Sequence, residues 1–313
     1  MLQDTQNPFK SIKLIALDQY FDEMVNLFEL KILPKVLLLN GKKGIGKFTL
    51  IFHFLNYIYS KKEETNYNLK DKLINNDSSF YKSILNQTNN DVIFLQAEEG
   101  KNIKIDSIRN LKSTLSRSSL SDNPRFMIID EVEFLNMNSA NALLKTLEEP
   151  SSNNYFILIN NQQADLIETI SSRCLKNNIY LNSENRKKLI DFFFKNKKID
   201  LLIDDSDLLT PGMLLKYNHF SSRYKIDQGD NITLKLNKLL YGYKKDKNKA
   251  LISMSFFLIE QFFYKLVVEN KHKTFSLLGI KSIILNKIND FTIYNLNVNS
   301  VLNSINLNLK NVR

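Results

Sequence analysis

The first half of the chain alternates short apolar runs with segments of helical periodicity. The apolar runs are rich in β-branched or aromatic residues and are bounded by polar or turn residues; they cover 36–39, 92–95, 126–129 and 155–159. Strands that alternate with helices are typical of a parallel sheet covered on both faces. The pattern therefore predicts an α/β domain.

The strand pattern fades from about Asn182 onward, and 186–196, 234–241 and 250–268 are predicted helices. The stretch SMSFFLIEQFFYKLV is interrupted only by Glu260, Gln261 and Lys265, which indicates a helix buried on most sides, in a bundle or a subunit contact. Residues 61–90 are polar without a clear period, so we expect a surface insertion there.

Composition narrows the class of protein. With 313 residues, 43% of them hydrophobic, the chain can form two or three domains. Its formal charge of +10 favours an anionic partner, but the abundance of Lys, Asn and Ile is also typical of an AT-rich genome, so charge alone does not decide. One cysteine, Cys174, excludes an intrachain disulfide and a cysteine-based zinc site, and we predict no bound metal at such a site.

The beginning of the chain lacks the apolar core of a signal peptide. No apolar run reaches the roughly 18 residues that a membrane-spanning helix needs. We therefore expect a cytoplasmic protein without a membrane partner.

A glycine-rich segment, GKKGIGKFT, directly follows the first predicted strand and precedes a predicted helix over 48–59. It fits the phosphate-binding pattern GxxxxGK, in which glycines turn backbone N–H groups toward a phosphate and the lysine reaches the outer phosphates. The candidate nucleotide-binding residues are Gly41, Gly44, Ile45, Gly46, Lys47, Phe48 and Thr49.

One position departs from that pattern. The residue after the lysine is normally Ser or Thr, whose hydroxyl binds Mg²⁺, and here it is Phe48. Thr49 cannot simply substitute, because one residue turns a side chain by about 100° around a helix. Two interpretations stay open: a site for ATP and Mg²⁺, or a relic loop that keeps its shape without turnover.

Two acids, Asp130 and Glu131, end the apolar run that begins at Arg125. In P-loop ATPases such a pair positions Mg²⁺ and polarises water. The next stretch, NMNSANALLKTLEEP, places Ala140, Leu143 and Leu147 on one helical face. Asn138 is the expected helix cap and Pro150 the expected stop.

The string NMNSANALLKTLEEP closely resembles the corresponding segment of bacterial DNA polymerase III clamp-loader subunits, which are AAA+ proteins. Further motifs of that family occur in the same order. The first is IKIDSIRNL at 103–111, and the second is Asn160 at the end of a predicted strand, where the family keeps a polar residue that senses the nucleotide. The motif SSRC at 171–174 and the turn Thr210-Pro211-Gly212 follow. The resemblance covers about 40–212. The variant ATPase centre is more similar to delta-prime subunits than to the gamma/tau motor.

The resemblance implies a RecA-like AAA+ domain over 1–181, a small helical lid over 182–222 and an all-α oligomerisation collar over 223–313. It implies a delta-prime role beside gamma/tau and delta subunits, in loading the sliding clamp onto primed DNA during replication. Arg173 would then act in trans, as an arginine finger, on the ATP site of a neighbouring subunit. The chain's own ATPase activity would be weak or absent.

Two alternatives stay open. A gamma/tau-type motor ATPase is favoured by Lys47, Asp130 and Glu131 and disfavoured by Phe48. A P-loop nucleotide-dependent regulator unrelated to replication is disfavoured by the Ser-Arg-Cys motif and the helix string.

Overall fold

A computed structural model describes residues 7–97, 102–116, 123–196 and 209–310. The chain divides into two compact units, and the boundary between Leu215 and Lys216 falls inside one helix. Residues 197–208 of the predicted lid lie outside the described residues. The division into three domains stays a prediction.

The first unit is built on a five-stranded sheet. Its strands are β1 (Val36–Asn40), β2 (Val92–Gln96), β3 (Arg125–Asp130), β4 (Asn154–Asn160) and β5 (Leu175–Asn178). The order is β2-β3-β4-β1-β5, and every recorded pairing is parallel. The four predicted strands are thereby confirmed, since each covers its apolar run.

Helices cover both faces of this sheet. They are α1 (Asp18–Glu29), α2 (Lys47–Ser60), α3 (Ser79–Leu85), α4 (Ile105–Ser116), α5 (Met137–Glu148), α6 (Glu168–Ser171) and α7 (Ser183–Ile190), which continues as a π-helix, Asp191–Asn196. Residues of α1, α2 and α3 belong to the core on one face, and residues of α4 and α5 to the core on the other. The predicted α/β class is confirmed.

Strand β5 was not predicted. Its sequence is Leu-Lys-Asn-Asn, and most of it is exposed because it pairs only with β1 at the edge of the sheet. An edge strand needs no apolar run and is often polar, so its sequence carries no period-2 signal.

The predicted surface insertion at 61–90 is packed more deeply than its polar composition indicated. Tyr67, Ile74 and Phe80 are buried in the core beside α2, and the Phe80 ring stacks on Tyr59 with centroids 4.5 Å apart. His53 Nε2 donates to the Ser11 carbonyl (2.9 Å) and Nδ1 accepts from the Tyr67 hydroxyl (2.9 Å). Burial lowers the pKa of His53 to about 4, so this link is made by a neutral imidazole.

The start of α5 corrects a prediction. The capping residue is Asn136, whose side chain accepts from the Ser139 N–H at 2.8 Å, whereas Asn138 lies inside the first turn. Both asparagines precede the apolar face at suitable distances, so periodicity alone could not choose between them. The helix ends at Glu148, before Pro150, as predicted.

The second unit, from Lys216 onward, is helical in its described residues. It contains the end of α8 (Pro211–Arg223), then α9 (Ile232–Asp246), α10 (Lys249–Glu269), α11 (Thr274–Ile293) and α12 (Val298–Lys310). Its core combines residues of α9 to α12, among them Leu240, Ile259, Phe263 and Ile284. The predicted helices at 234–241 and 250–268 are confirmed.

Helix α10 requires a correction to the expectation that no segment could span a membrane. By length and composition it could, since an 18-residue window has mean hydropathy 1.6. In the structure α10 packs between α9 and α11 in the second unit, and its buried residues include Leu251, Met254 and Ile259. A core helix of a bundle passes the same test of length and composition.

We predict that Glu63→Ala destabilises the first unit. The Glu63 carboxylate accepts the first N–H groups of α3, from Ser79 (2.8 Å) and Phe80 (3.1 Å). Losing a helix cap costs about 1 kcal/mol, which lowers the melting temperature by about 2–4 °C in a unit of this size. Glu64→Ala, at an exposed neighbouring glutamate, is the matched control in thermal unfolding. Equal melting temperatures for the two variants would contradict this role.

Candidate functional site

Three asparagines join the carboxyl ends of neighbouring strands. Asn40 of β1 lies in register with Asn160 of β4 and Asn178 of β5. Asn160 Nδ2 donates to Asn40 Oδ1 (2.9 Å), and Asn40 Nδ2 donates to Asn178 Oδ1 (2.7 Å). The glycine-rich loop starts directly after Asn40, so this ladder fixes where the loop leaves the sheet.

The glycine-rich loop has the backbone of a phosphate-binding loop. Gly44 (φ 82°) and Gly46 (φ 98°) adopt left-handed conformations, and α2 begins at Lys47. A Cβ at Gly41 would lie 2.4 Å from the Ile179 carbonyl oxygen, so only glycine fits there. These features place the N-terminus of α2 where it could bind a phosphate.

The loop lysine is turned toward the loop itself. Lys47 is 2% exposed, and its ammonium donates to the carbonyls of Gly41 (2.6 Å) and Lys42 (2.8 Å). Burial lowers the pKa of Lys47 to about 8, although the negative charges of Asp130 and Glu133 oppose that shift. The cation is therefore held beside two carboxylates at the carboxyl edge of the sheet.

Phe48 packs in an aromatic cluster and cannot serve as a metal ligand. Its ring packs edge-on against Phe9 (centroids 5.2 Å apart) and lies 5.5 Å from Phe94, in a cluster that also includes Phe52. An aromatic ring offers Mg²⁺ no oxygen ligand. The loop and Lys47 therefore fit the phosphates of a nucleotide, whereas the position that should supply the metal-binding hydroxyl holds a half-buried ring packed against the hydrophobic core.

The turn Thr210-Pro211-Gly212 supports the phosphate loop from outside. The Thr210 hydroxyl donates to the Lys43 carbonyl (2.6 Å), and the Gly212 N–H donates to the Gly44 carbonyl (2.8 Å). A Cβ at Gly212 would lie 2.8 Å from Gly44 Cα, so the two backbones touch. The family motif noted in the sequence is thus a support of the loop, and it was missing from the predicted site.

Asp130 lies at the end of β3, and β4 lies between β3 and β1 in the sheet. Its Oδ1 accepts from the Glu131 N–H (2.8 Å) and from Asn161 Nδ2 (2.9 Å). Burial raises the pKa of Asp130, and the hydrogen bond from Asn161 partly offsets that shift. A buried carboxylate near Lys47 is what a metal-positioning residue requires, but the same arrangement is also stable as a structural network.

Glu131 is paired with the loop. It has a left-handed backbone (φ 58°), and its carboxylate accepts from Lys43 Nζ at 2.5 Å; Lys43 also donates to Gln163 at 3.0 Å. The Glu131 carboxylate is thus occupied by an ion pair with a lysine of the glycine-rich loop. Lys43 was not a predicted site residue, since a second lysine inside GxxxxGK carries no signal of its own.

The polar end of β4 contributes two asparagines to this edge of the sheet, the predicted Asn160 and its neighbour Asn161. Asn160 donates within the asparagine ladder, whereas its neighbour Asn161 contacts Asp130. The N–H of Asn161 is held by both carboxylate oxygens of Glu133 at 3.1 Å, and Glu133 is buried. Side-chain direction alternates along a strand and changes where it ends, so sequence could not choose between the two asparagines.

A cavity of about 240 Å³ adjoins the loop. Its lining includes Gly41, Ile45, Ile179, Leu209 and Pro211, with the Arg186 side chain at its edge. Arg186 Nε donates to the Leu209 carbonyl at 3.1 Å. The cavity is mainly apolar, which suits a planar base beside the phosphate loop.

Arg173 lies apart from these residues, at the end of α6. Its Nε donates to Glu148 Oε1 (2.6 Å), its second terminal nitrogen pairs with the same oxygen, and Nη1 donates to the Thr169 carbonyl (2.8 Å) and the Ser172 hydroxyl (3.4 Å). The Arg173 side chain is 31% exposed. The recorded partners of this arginine do not belong to the chain's own phosphate loop.

The remaining observations concern the cysteine and possible metal ligands. Cys174, beside Arg173, is half-buried, and burial raises the pKa of its thiol to about 11. Within the described ranges, no group of three or more His, Cys, Asp or Glu side chains could hold a metal ion.

Comparison with known proteins gives one match to a family model and several relatives. The family model "DNA polymerase III, delta subunit" matches residues 17–182, more than half of the chain. A DNA polymerase III subunit delta' from Pseudomonas aeruginosa is 37% identical over 90 residues, 28% of this chain and 27% of the relative. One from Buchnera aphidicola subsp. Schizaphis graminum is 27% identical over 186 residues, 58% of this chain and 52% of the relative.

Two other proteins complete the comparison. A DNA polymerase III subunit gamma from the same Buchnera is 28% identical over 173 residues, 54% of this chain and 47% of the relative. A crystal structure of a DNA polymerase III gamma subunit-related protein from Thermotoga maritima superposes with a TM-score of 0.51 at 19% identity, covering 93% of this chain and all of that chain. This structural likeness shows the fold alone. The matched segments span about a quarter to a half of the curated relatives' lengths. The family match, which the order of motifs along the first unit supports, shows that the chain belongs to the DNA polymerase III delta subunit family.

Proposed function

We propose that the chain is a delta-prime-type subunit of a DNA polymerase III clamp loader, helping to place the sliding clamp on primed DNA. The observation that carries this proposal is a contrast within the first unit. The phosphate loop is shaped for a nucleotide but has an aromatic residue, Phe48, in place of its metal ligand. Arg173, in contrast, is partly exposed, and its recorded partners, Glu148, Thr169 and Ser172, lie outside that loop.

The chain's own loop, in this proposal, binds ATP weakly or not at all and does not support rapid hydrolysis. Lys47 donates to its own loop, Lys43 pairs with Glu131, and Phe48 packs against the core. A bound ATP would supply phosphates for the loop N–H groups and Lys47. The role of the loop is then to keep the subunit's shape, which its contacts with Thr210 and Gly212 support.

The active contribution of the subunit is Arg173, offered to the ATP site of a neighbouring gamma/tau subunit. A guanidinium is always charged and can donate to two phosphate oxygens, which stabilises charge on the transferring phosphoryl group. Delta and gamma/tau subunits are the proposed partners in a cytoplasmic complex, and the predicted collar over 223–313 would join them.

A gamma/tau-type motor is the second candidate. The structure brings Lys47, Asp130 and Asn161 together at one edge of the sheet, which is where an active ATPase needs them. Sequence similarity to a gamma subunit accords with this candidate. Direct measurement of ATP turnover distinguishes the two.

We predict little or no ATPase activity for the purified chain, because Phe48 supplies no metal ligand. Phe48→Thr should raise the affinity for Mg·ATP in a fluorescent-nucleotide titration, if its stability survives the loss of the Phe9 and Phe94 contacts. Phe52→Leu, which thins the same aromatic cluster without adding a hydroxyl, controls for that loss. Robust turnover by the unaltered chain, abolished by Lys47→Ala, would instead identify a motor.

We predict that Arg173→Ala leaves assembly intact and lowers DNA-stimulated ATPase and clamp loading by the reconstituted complex. Arginine fingers contribute roughly 10³–10⁵ in turnover at a single site, and one finger among several sites affects the total less. Arg173→Lys should be nearly as defective, because an ammonium keeps the charge but loses the two-point fork. Normal clamp loading by an Arg173→Ala complex of confirmed composition would rule out the finger.

We predict that Phe275→Asp weakens assembly while leaving the second unit folded. Phe275 is 94% exposed on α11, and Leu278, three residues further along the same face, is also exposed; neighbouring exposed apolar side chains are typical of an interface. Gel filtration with gamma/tau and delta measures the effect, and Ser276→Asp is the control for the added charge. Unchanged assembly would remove this face from the proposed collar contact.

A further inference from the structure

Glu148 is the residue that holds Arg173 in place. It is the last residue of α5, in the string that carries the family resemblance, whereas Arg173 follows α6. Glu148 Oε1 accepts a hydrogen bond from Arg173 Nε at 2.6 Å and forms an ion pair with the terminal Nη2. Glu148 belongs to α5 and Arg173 to the segment after α6, so the pair is a tertiary contact that packing of α6 against α5 makes possible.

The contacts with Glu148 occupy the lateral edge of the guanidinium. Nε–H and Nη2–H form the lateral edge of the fork, and both are directed at Glu148. Nη1 is held by the Thr169 carbonyl at 2.8 Å. Nη1 also donates to the Ser172 hydroxyl at 3.4 Å. A guanidinium has five N–H donors, so these contacts leave at least one donor, on Nη2. The arrangement fixes the plane of the fork without using all of its capacity for phosphate oxygens.

We propose that Glu148 is a positioning residue that orients Arg173 for the ATP site of the neighbouring subunit. This inference rests on the proposed trans role of Arg173. A long side chain searches many rotamers, and a catalytic group that is held in one orientation loses less entropy when the reaction occurs. The Glu148 pair and the Thr169 carbonyl restrict Arg173 in this way before any neighbour is bound.

The chemistry that this orientation assists is hydrolysis on the neighbour. Water forms a bond to the γ-phosphorus as the bond to the bridging oxygen breaks; ADP keeps that electron pair, and the water loses a proton as inorganic phosphate forms. Arg173 donates hydrogen bonds to oxygens that gain charge in this step. Glu148 itself touches neither water nor phosphate, so its effect must pass through Arg173.

An alternative role for the same contact is a brake, in which Glu148 withholds Arg173 or neutralises its charge. The two roles predict opposite results. Removing an orienting residue lowers turnover, whereas removing a brake raises turnover in the absence of DNA. An exposed ion pair contributes little to stability, so neither result should come from unfolding.

The test uses complexes reconstituted from gamma/tau, delta and the variant chain, with composition confirmed by gel filtration. Glu148→Ala should lower the DNA-stimulated kcat by roughly 2- to 5-fold with little change in KM, because a misoriented finger acts on the transition state. Glu148→Gln keeps an acceptor oxygen for the lateral edge and should restore most of the activity. Glu149→Ala, at the adjacent exposed glutamate, should match the unaltered complex.

The double variant shows whether Glu148 acts through Arg173. Adding Glu148→Ala to Arg173→Ala should cause no further loss, because the group being oriented is already gone. Independent, additive losses would overturn the inference. So would a Glu148→Gln complex as defective as Glu148→Ala, or a rise in DNA-independent turnover.

Failure of the inference is distinguishable from failure of the proposed function. If Arg173→Ala lowers activity and Glu148→Ala does not, Arg173 acts in trans without help from Glu148, and only the inference is wrong. If Arg173→Ala has no effect, the trans role and the inference are both wrong.

Discussion

The pairing of Asn40 with Asn160 and Asn178 is the constraint on which the rest of the first unit depends. It ties together the carboxyl ends of three parallel strands in one register. The phosphate loop leaves the sheet directly after Asn40, at the end of β1. Asp130 ends β3, which pairs with the other side of β4, so the loop and Asp130 lie at the same edge of the sheet. A shift of one residue would turn these side chains to the opposite face and separate the loop from its acidic partners.

Around this edge, the chain keeps the geometry of a nucleotide site but satisfies its charges internally. Lys47 donates to loop carbonyls, Glu131 accepts from Lys43, and Phe48 joins an aromatic cluster. Arg173 is different, because its partly exposed guanidinium lies on another element and pairs with Glu148. This combination is what the proposed function requires, in which the chain keeps the scaffold and supplies an arginine to a neighbouring subunit.

Much of the fold could be predicted from the sequence, because buried parallel strands leave continuous apolar runs and the loop carries a glycine pattern. Strand β5 could not, since its polar residues pair at an edge. The burial of Tyr67 and Phe80 in a polar segment also gave no periodic signal. Spacing along the chain also does not encode contacts between distant segments. The contacts of Lys43 with Glu131, of Asn161 with Asp130 and of Thr210 with the phosphate loop are of this kind. The roles assigned to Arg173 and Asn160 stay predictions.

The central claim is that this subunit acts through Arg173 on a neighbour rather than through its own loop. The most direct measurement is a cryo-electron microscopy structure of the complex bound to DNA and a phosphoryl-transfer transition-state mimic. The account predicts a guanidinium nitrogen of Arg173 at about 3 Å from the mimic on the adjoining subunit. A mimic with Mg²⁺ in the chain's own loop, and Arg173 directed away from the neighbour's site, would contradict it.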